Sequence, residues 1–468
     1  MPVGPLQTFD PRTAFTSANP QRYPFCPAAL QPNSYAEPDK QVLEGDAGWF
    51  FLQGEIDWDA ALSPGFFGDV RRIADTLAKR GTKLIVLIPP PRSVLGYTHL
   101  PPLVKQTSAR QQDGQLRGYL ALLDRIRLSG AIVPDVLGEA RRYNLSFDQI
   151  GSPAEPHWSP AGSWAAALAI TRQIAPERLK QGEPAVRGTR VAEVSGASYT
   201  DALNKICKTK WPRQTIPAFL VAEDSALAGG GDLLGGGAET HIVLVGTSFT
   251  AQTERYSFAP FLEALSGRSV MNLAISGGGP LTSFDQYARS PEFNTLKPKY
   301  LIWEFTASNL PDDNFAAGRS ALLRSSCSAS YRPTKAAFRP GMNSIASAAD
   351  IARVAPDDEA VQLQLSSENP AFRNFVIQLN YVDGHQKAIK MDTRRAPTAS
   401  TSYTIVLPDD HALISDISLI NVDPLTGSVS TQLCPAGGEP GGSASTTTAS
   451  SQSGWLGRVA AWFKSFWG

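Results

Sequence analysis

The chain contains no apolar run approaching the ~20 residues that a membrane-spanning helix needs. Residues Met1 to Gln21 carry charges and prolines and lack the ~7–15-residue apolar core of a secretory signal. Three accounts fit that absence: a cytosolic protein, a mature form with its signal removed, or a start site placed too far downstream. Charge excess is also missing, with 43 basic residues against 43 acidic ones. No long basic run or nucleic-acid motif is visible, so no nucleic-acid partner is expected. Cysteine is scarce. Cys26, Cys207, Cys327 and Cys434 lie far apart, which argues against zinc-binding and thioredoxin-like CxxC sites, and no metal site is expected. Four cysteines allow three pairings, and spacing does not choose among them. Histidine is limited to His99, His157, His241, His385 and His411, so few imidazoles can serve as a base.

Turn formers, by contrast, are abundant, with 39 glycines and 36 prolines in 468 residues. That length suggests two or three domains. Residues 1–40 read as an irregular arm. From 41 to 325 helical and strand patterns alternate: helices at Phe66–Arg80, Gln115–Leu128, Val136–Tyr143, Ser163–Ile170, Phe261–Ser266 and Phe284–Ala288, and strands at Lys83–Ile88, Ala131–Pro134, Ile242–Val245, Val270–Ile275 and Tyr300–Phe305. Such alternation implies an α/β fold, a mostly parallel sheet flanked by helices. Residues 335–434 change character. Val361–Leu365, Asn374–Tyr381, Ala388–Met391, Ser402–Leu407 and Ile414–Asn421 predict a C-terminal β-sandwich domain. Residues 435–454 form a Gly/Ser/Thr-rich linker with a reach of roughly 25 Å. In 455–468, Trp455, Val459, Trp462 and Phe466 share one helical face. An amphipathic helix of this kind suits a membrane surface or a protein partner.

The most informative segment is His241-Ile-Val-Leu-Val-Gly-Thr-Ser-Phe249. Four apolar residues run into a tight turn, which lifts Ser248 out of the sheet at the carboxyl edge of its strand. A serine hydroxyl needs a base. His157 lies in Glu155-Pro-His-Trp-Ser-Pro-Ala-Gly162, two residues after a carboxylate that can orient its ring. Ser159-Pro160 then suits a helix start. His411, in Asp409-Asp-His411, has the same spacing but sits between strand-like runs, as an acidic hairpin turn would. His157 is the preferred base, with Glu155 as its partner.

Taken together, these motifs resemble the AlgX- and AlgJ-like branch of alginate O-acetyltransferases, which carry an SGNH-hydrolase-like domain. Gly246-Thr-Ser-Phe249 resembles the SGNH nucleophile block. Glu155-x-His157-Trp158 resembles that branch's Asp-x-His-Trp motif, and the histidine precedes the serine here as it does there. Asp46-Ala-Gly-Trp-Phe-Phe51 is similar to its N-terminal signature, and Leu301-Ile-Trp-Glu-Phe305 to its late strand. The usual aspartate is Glu155 here, one methylene longer and followed by Pro156, and the tyrosine that often follows the late strand is absent from Thr306-Ala-Ser-Asn309.

The resemblance implies a polysaccharide O-acetyltransferase with a Ser248–His157–Glu155 triad and an acetyl-serine intermediate, acting on alginate or a similar exopolysaccharide. It also implies a membrane-bound acetyl-donor protein as partner and no cofactor. Acyl transfer needs oxyanion donors. The Ser248 N–H, the glycines 277–279 (Gly278 above all) and Asn309 are candidates. The two-domain form of the family carries one disulfide per domain, which implies Cys26–Cys207 and Cys327–Cys434, an oxidising compartment and a periplasmic location. Its C-terminal module binds carbohydrate. In this chain Arg373, Tyr381 and Lys390 are candidate contacts for an acidic sugar chain. An acetylesterase with the same triad and an inert polysaccharide-binding scaffold are the competing functions.

Overall fold

In the computed structural model the described residues are 5–12, 42–56, 58, 64–100, 112–153, 155–180, 182–194, 199, 204, 215–222, 241–277, 279–289, 293, 296–307, 334–337, 341–354, 361–392, 402–407, 411–421 and 428–435. Four parallel strands form the central sheet in the order Lys83–Leu87, Tyr300–Glu304, Ile242–Val245, Val270–Asn272. Ile242, Val243, Leu244 and Val245 are all buried. Successive side chains point to opposite faces, so both faces of the sheet are covered, which is why the strand reads as an unbroken apolar run. Leu87 pairs with Glu304 and Val245 with Trp303. Pro89–Pro91, Gly246–Ser248 and Phe305–Ala307 therefore leave the sheet at one edge.

The helix Pro160–Ile174 positions the histidine loop. Ser159 caps it, its hydroxyl accepting from the Gly162 N–H at 3.1 Å and donating to the Gln149 carbonyl. Pro160 occupies the first turn, where no N–H is needed. Ala165, Ala166 and Ala167 are all buried. Small side chains on every face let this helix run through the interior, packed on Phe258–Ser266 and Val136–Arg142.

Several sequence expectations shift. Ala131–Pro134 is not a strand; it contributes only a parallel bridge between Ile132 and Ile85. The strand from Val270 stops at Asn272, whose side chain accepts from the Ala274 N–H at 3.1 Å and turns the chain. The N-terminal arm is not irregular throughout. Gln7–Thr8 pair with Arg187–Gly188 at the edge of a three-stranded antiparallel sheet completed by Arg187–Val194 and Thr215–Val221. Phe9 follows and is buried, its ring 4.8 Å from both Phe219 and Phe261.

The C-terminal region holds two four-stranded antiparallel sheets. One runs Thr334–Ala337, Ser428–Pro435, Val361–Ser367, Ser402–Val406; the other runs Met342–Ser347, Ile414–Asn421, Asn374–Tyr381, Gln386–Asp392. Alternate residues of both, such as Leu363 and Leu365 with Ile377 and Leu379, share one apolar core. The linker after Pro435 and the terminal amphipathic segment lie outside the described residues.

Gly162 shows how tightly the histidine loop is seated. A Cβ there would sit 2.4 Å from the Ile150 carbonyl oxygen and 2.9 Å from Ile150 Cγ2. Helix propensity alone favours alanine by up to ~1 kcal/mol, but a backbone oxygen cannot swing aside. We expect Gly162→Ala to give a net loss of about 1–2 kcal/mol in urea unfolding.

Candidate active site

The strand Ile242–Val245 ends in Gly246, where any side chain would strike Glu304: a Cβ would lie 2.6 Å from its Oε2. The Gly246 N–H donates to Ser283 Oγ at 2.8 Å, and Ser283 donates back to the Gly246 carbonyl at 2.9 Å. Beneath the turn stands Glu304, fully buried at the end of its strand. It accepts from the Thr247 N–H at 2.7 Å, from the Thr247 hydroxyl at 3.0 and 3.1 Å, and from the Thr250 hydroxyl at 3.1 Å. Asn272 Nδ2 donates to the Thr250 carbonyl at 2.8 Å. These contacts fix the short helix Ser248–Ala251 and leave Ser248 half-exposed at its start.

His157 reaches that serine from the other side. Its Nε2 lies 2.8 Å from Ser248 Oγ. Trp158 makes a second tie, donating from Nε1 to the Phe249 carbonyl at 3.1 Å. The imidazole packs against Phe249 and Tyr256, with ring centres 4.9 and 5.1 Å away. Nδ1 stands 3.5 Å from Glu155 Oε2, an ion-pair distance longer than a well-formed hydrogen bond. The same Oε2 accepts from the Tyr256 hydroxyl, and Arg255 Nη1 lies 4.0 Å from Oε1. Burial, reinforced by the charge of Glu155, pushes the Tyr256 phenol well above its ordinary value, so it stays protonated as a donor. The Glu155 carboxylate thus meets Tyr256 as well as facing the imidazole.

A cleft of about 120 Å³ opens beside His157, walled by Pro89, Pro91, Pro156, Phe249, Thr306 and Ala307. The Gly-rich loop borders the same sheet edge. Gly277 and Gly279 hold φ of 70° and 67°, and Trp303 Nε1 donates to the Pro280 carbonyl at 2.7 Å. Gly278 and Asn309 lie outside the described residues.

The structure brings together Ser248, His157 and Glu155. His411 does not join them; it is buried in the short 3-10 helix His411–Leu413 of the C-terminal region. Tyr381, expected to meet sugar, is instead a core residue, 3% exposed with its ring stacked on His385, because its strand position faces the shared apolar core. Arg373 is half-buried, and the side chain of Lys390 lies outside the described residues. Cys434 is buried with Gln362 Nε2 3.0 Å from its sulfur, while Cys26, Cys207 and Cys327 lie outside the described residues. Sequence reading gave no role to Tyr256, Glu55 or Arg92. Only Arg92 left a trace, as the polar residue closing Pro89-Pro-Pro91.

A serine and an imidazole in contact at the carboxyl edge of a parallel sheet define the site of a serine-dependent, hydrolase-like α/β protein. Comparison with known proteins agrees: residues 42–307 match the family described as "SGNH hydrolase-like domain, acetyltransferase AlgX". The chain belongs to this AlgX family. It is 26% identical to alginate biosynthesis protein AlgX of Pseudomonas putida over 401 residues, covering 82% of each chain. It is 28% identical to the probable alginate O-acetylase AlgJ of Pseudomonas fluorescens over 296 residues, which cover 61% of this chain and 73% of that one. The solved structure of Pseudomonas aeruginosa AlgX shares the fold, with a TM-score of 0.66 and 22% identity over 88% of this chain and 99% of that one.

Glu304 yields a pH prediction. Burial raises its carboxyl from 4.5 to about 7, against the opposing effect of its hydrogen bonds. Below pH 4.5 folded and unfolded forms are both protonated. As pH rises toward 7 the unfolded chain releases this proton first, so stability falls across that window. The loss is on the order of 3 kcal/mol. We expect Glu304→Gln to remove this component of the slope, read from urea unfolding at about pH 5 and about pH 8.

Proposed function

We propose that the chain is a polysaccharide O-acetyltransferase that adds acetyl groups to alginate or a similar exopolysaccharide. The observation that carries this reading is the 2.8 Å contact between His157 Nε2 and Ser248 Oγ, in a chain of the AlgX family. With Nε2 accepting from the serine hydroxyl, Nδ1 carries the ring proton toward Glu155. His157 takes the Ser248 proton as Oγ attacks the donor's acetyl carbonyl. The tetrahedral oxyanion collapses, the leaving group departs with the proton, and acetyl-serine remains. A sugar hydroxyl then loses its proton to His157 and attacks the acetyl-serine, and the proton returns to Ser248 Oγ. Glu155 stabilises the imidazolium that forms at each stage. The Ser248 N–H, Gly278 and Asn309 are the proposed oxyanion donors.

The rest of the reading follows from the family. Residues 41–325 are the catalytic domain, with 1–40 as the N-terminal arm. We read the paired sheets of 335–434 as a β-sandwich that holds the polysaccharide, with Arg373 the described residue suited to a sugar carboxylate. Residues 435–454 tether the terminal helix 455–468 to a membrane surface or to the complex that holds a membrane-bound acetyl donor. The relatives' roles in alginate biosynthesis support a periplasmic location, with Cys26–Cys207 and Cys327–Cys434 paired. Among the described residues no helix is long and apolar enough to cross a membrane.

Ser248→Ala and His157→Ala test the chemistry. Each is expected to lower acetyl release from a chromogenic acetyl ester by ~10⁴-fold or more. With mannuronate oligosaccharides present, mass spectrometry is expected to find acetylated sugar with the wild-type chain. Undiminished rates in both variants sink the catalytic reading. Ester turnover with water as the only acceptor favours an acetylesterase.

A further inference from the structure

Arg92 is buried, yet it lies in the short helix Arg92–Leu95, outside the Ser248–His157–Glu155 set. Its guanidinium gathers four backbone carbonyls. Nε donates to Phe50 O at 2.6 Å, and Nη1 donates to Glu155 O at 2.5 Å and to Ser152 O. Nη2 donates to Pro153 O. The guanidinium also lies against aromatic neighbours, 4.6 Å from the Trp49 ring and 4.9 Å from that of Tyr199. Its countercharge is Glu55, 3.9 Å away, whose carboxylate accepts from the Tyr199 hydroxyl at 2.8 and 2.9 Å and from the Leu52 N–H at 2.8 Å.

Three of those carbonyls belong to the segment that delivers Glu155 and His157. Pro153 and Pro156 have no N–H, so this segment is poor in donors and rich in acceptors. Converging carbonyl dipoles repel unless a cation with several donors sits among them. A guanidinium presents five N–H groups in a rigid plane; an ammonium presents three from a single point. Among the described residues, the loop's other backbone ties are Phe50 N–H to Pro153 O at 3.1 Å and Ser159 N–H to Ile150 O at 2.7 Å. The signature Asp46-Ala-Gly-Trp-Phe-Phe51 supplies both the ring under the guanidinium and the Phe50 backbone that meets the loop.

We propose that Arg92 is a positioning residue for acyl transfer: it sets the backbone of Ser152, Pro153 and Glu155 so that Glu155 and His157 meet Ser248 in reactive register. This rests on the reading of Ser248 and His157 as nucleophile and base. Arg92 also borders the cleft beside His157, but its guanidinium hydrogen bonds go to backbone carbonyls and not to Ser248 or His157. It acts through carbonyls whose number and directions a lysine cannot match.

The test compares the full chain with Arg92→Lys, Arg92→Ala and Ser248→Ala. Steady-state hydrolysis of a chromogenic acetyl ester is followed with and without guanidinium chloride, and ¹⁵N NMR of labelled histidine reports the state of His157. In Arg92→Lys, kcat is expected to fall ~10²-fold, the scale of a misplacement of about 1 Å, with KM changed less than threefold. In Arg92→Ala, millimolar guanidinium is expected to restore part of kcat, and equal ammonium chloride is not. The His157 Nε2 resonance is expected to move in both variants, even if turnover is too slow to measure. A folded Arg92→Lys that keeps wild-type kcat and an unmoved His157 resonance overturns the proposal. So does a loss in Arg92→Ala that guanidinium does not restore while the His157 resonance stays in place. If Ser248→Ala retains full activity, the nucleophile assignment fails instead, and the His157 resonance still reads what Arg92 does.

Discussion

The contact between His157 Nε2 and Ser248 Oγ joins two segments that have nothing in common in sequence. One is the end of a central strand. The other is a proline-rich loop at a helix entrance. A hydrogen bond of this kind is worth only about 1 kcal/mol net, far too little to hold two loops together. It exists because each loop is fixed independently. Glu304 and Ser283 pin the serine turn from below, while the Ser159 cap, the bridge between Gly151 and Trp158, and the Arg92 guanidinium pin the histidine loop. Trp158, donating to the Phe249 carbonyl, locks the two together one residue away from the His157–Ser248 contact.

Three buried glutamates do three different things around this contact. Glu304 holds backbone and hydroxyl donors, and burial without a nearby cation makes its charge expensive. Glu55 is also raised by burial, but Arg92 opposes that shift and gives the carboxylate a partner. Glu155 faces the imidazole and shares its Oε2 with the Tyr256 hydroxyl. Partner chemistry, not burial, separates their roles, since all three are withdrawn from water.

Much of the α/β half was legible from the sequence. The apolar run of Ile242–Val245 fixed a buried strand, and Gly246-Thr-Ser248 fixed a turn beyond it. Ser159-Pro160 correctly marked the helix start. Other features were not legible. Gln7–Thr8 and the strand Thr215–Val221, which includes Pro217, gave no local strand signal, because pairing across distant segments creates those strands. Tyr381 lies in the core, contrary to expectation, because a strand's alternation tells which residues share a face, not which face turns inward.

What the sequence determined by itself was local: which residues form strand, turn and cap, and which side chains have the chemistry to stand as nucleophile, base and carboxylate partner. Local patterns suffice there because backbone preference and hydrophobic period act over a few residues. Tertiary structure alone decided how closely His157 approaches Ser248, that Tyr256 shares the carboxylate of Glu155, and that Arg92, some sixty residues upstream, supplies donors to a loop in which Pro153 and Pro156 have none. Those pairings are set by packing between distant segments, which a one-dimensional pattern does not encode.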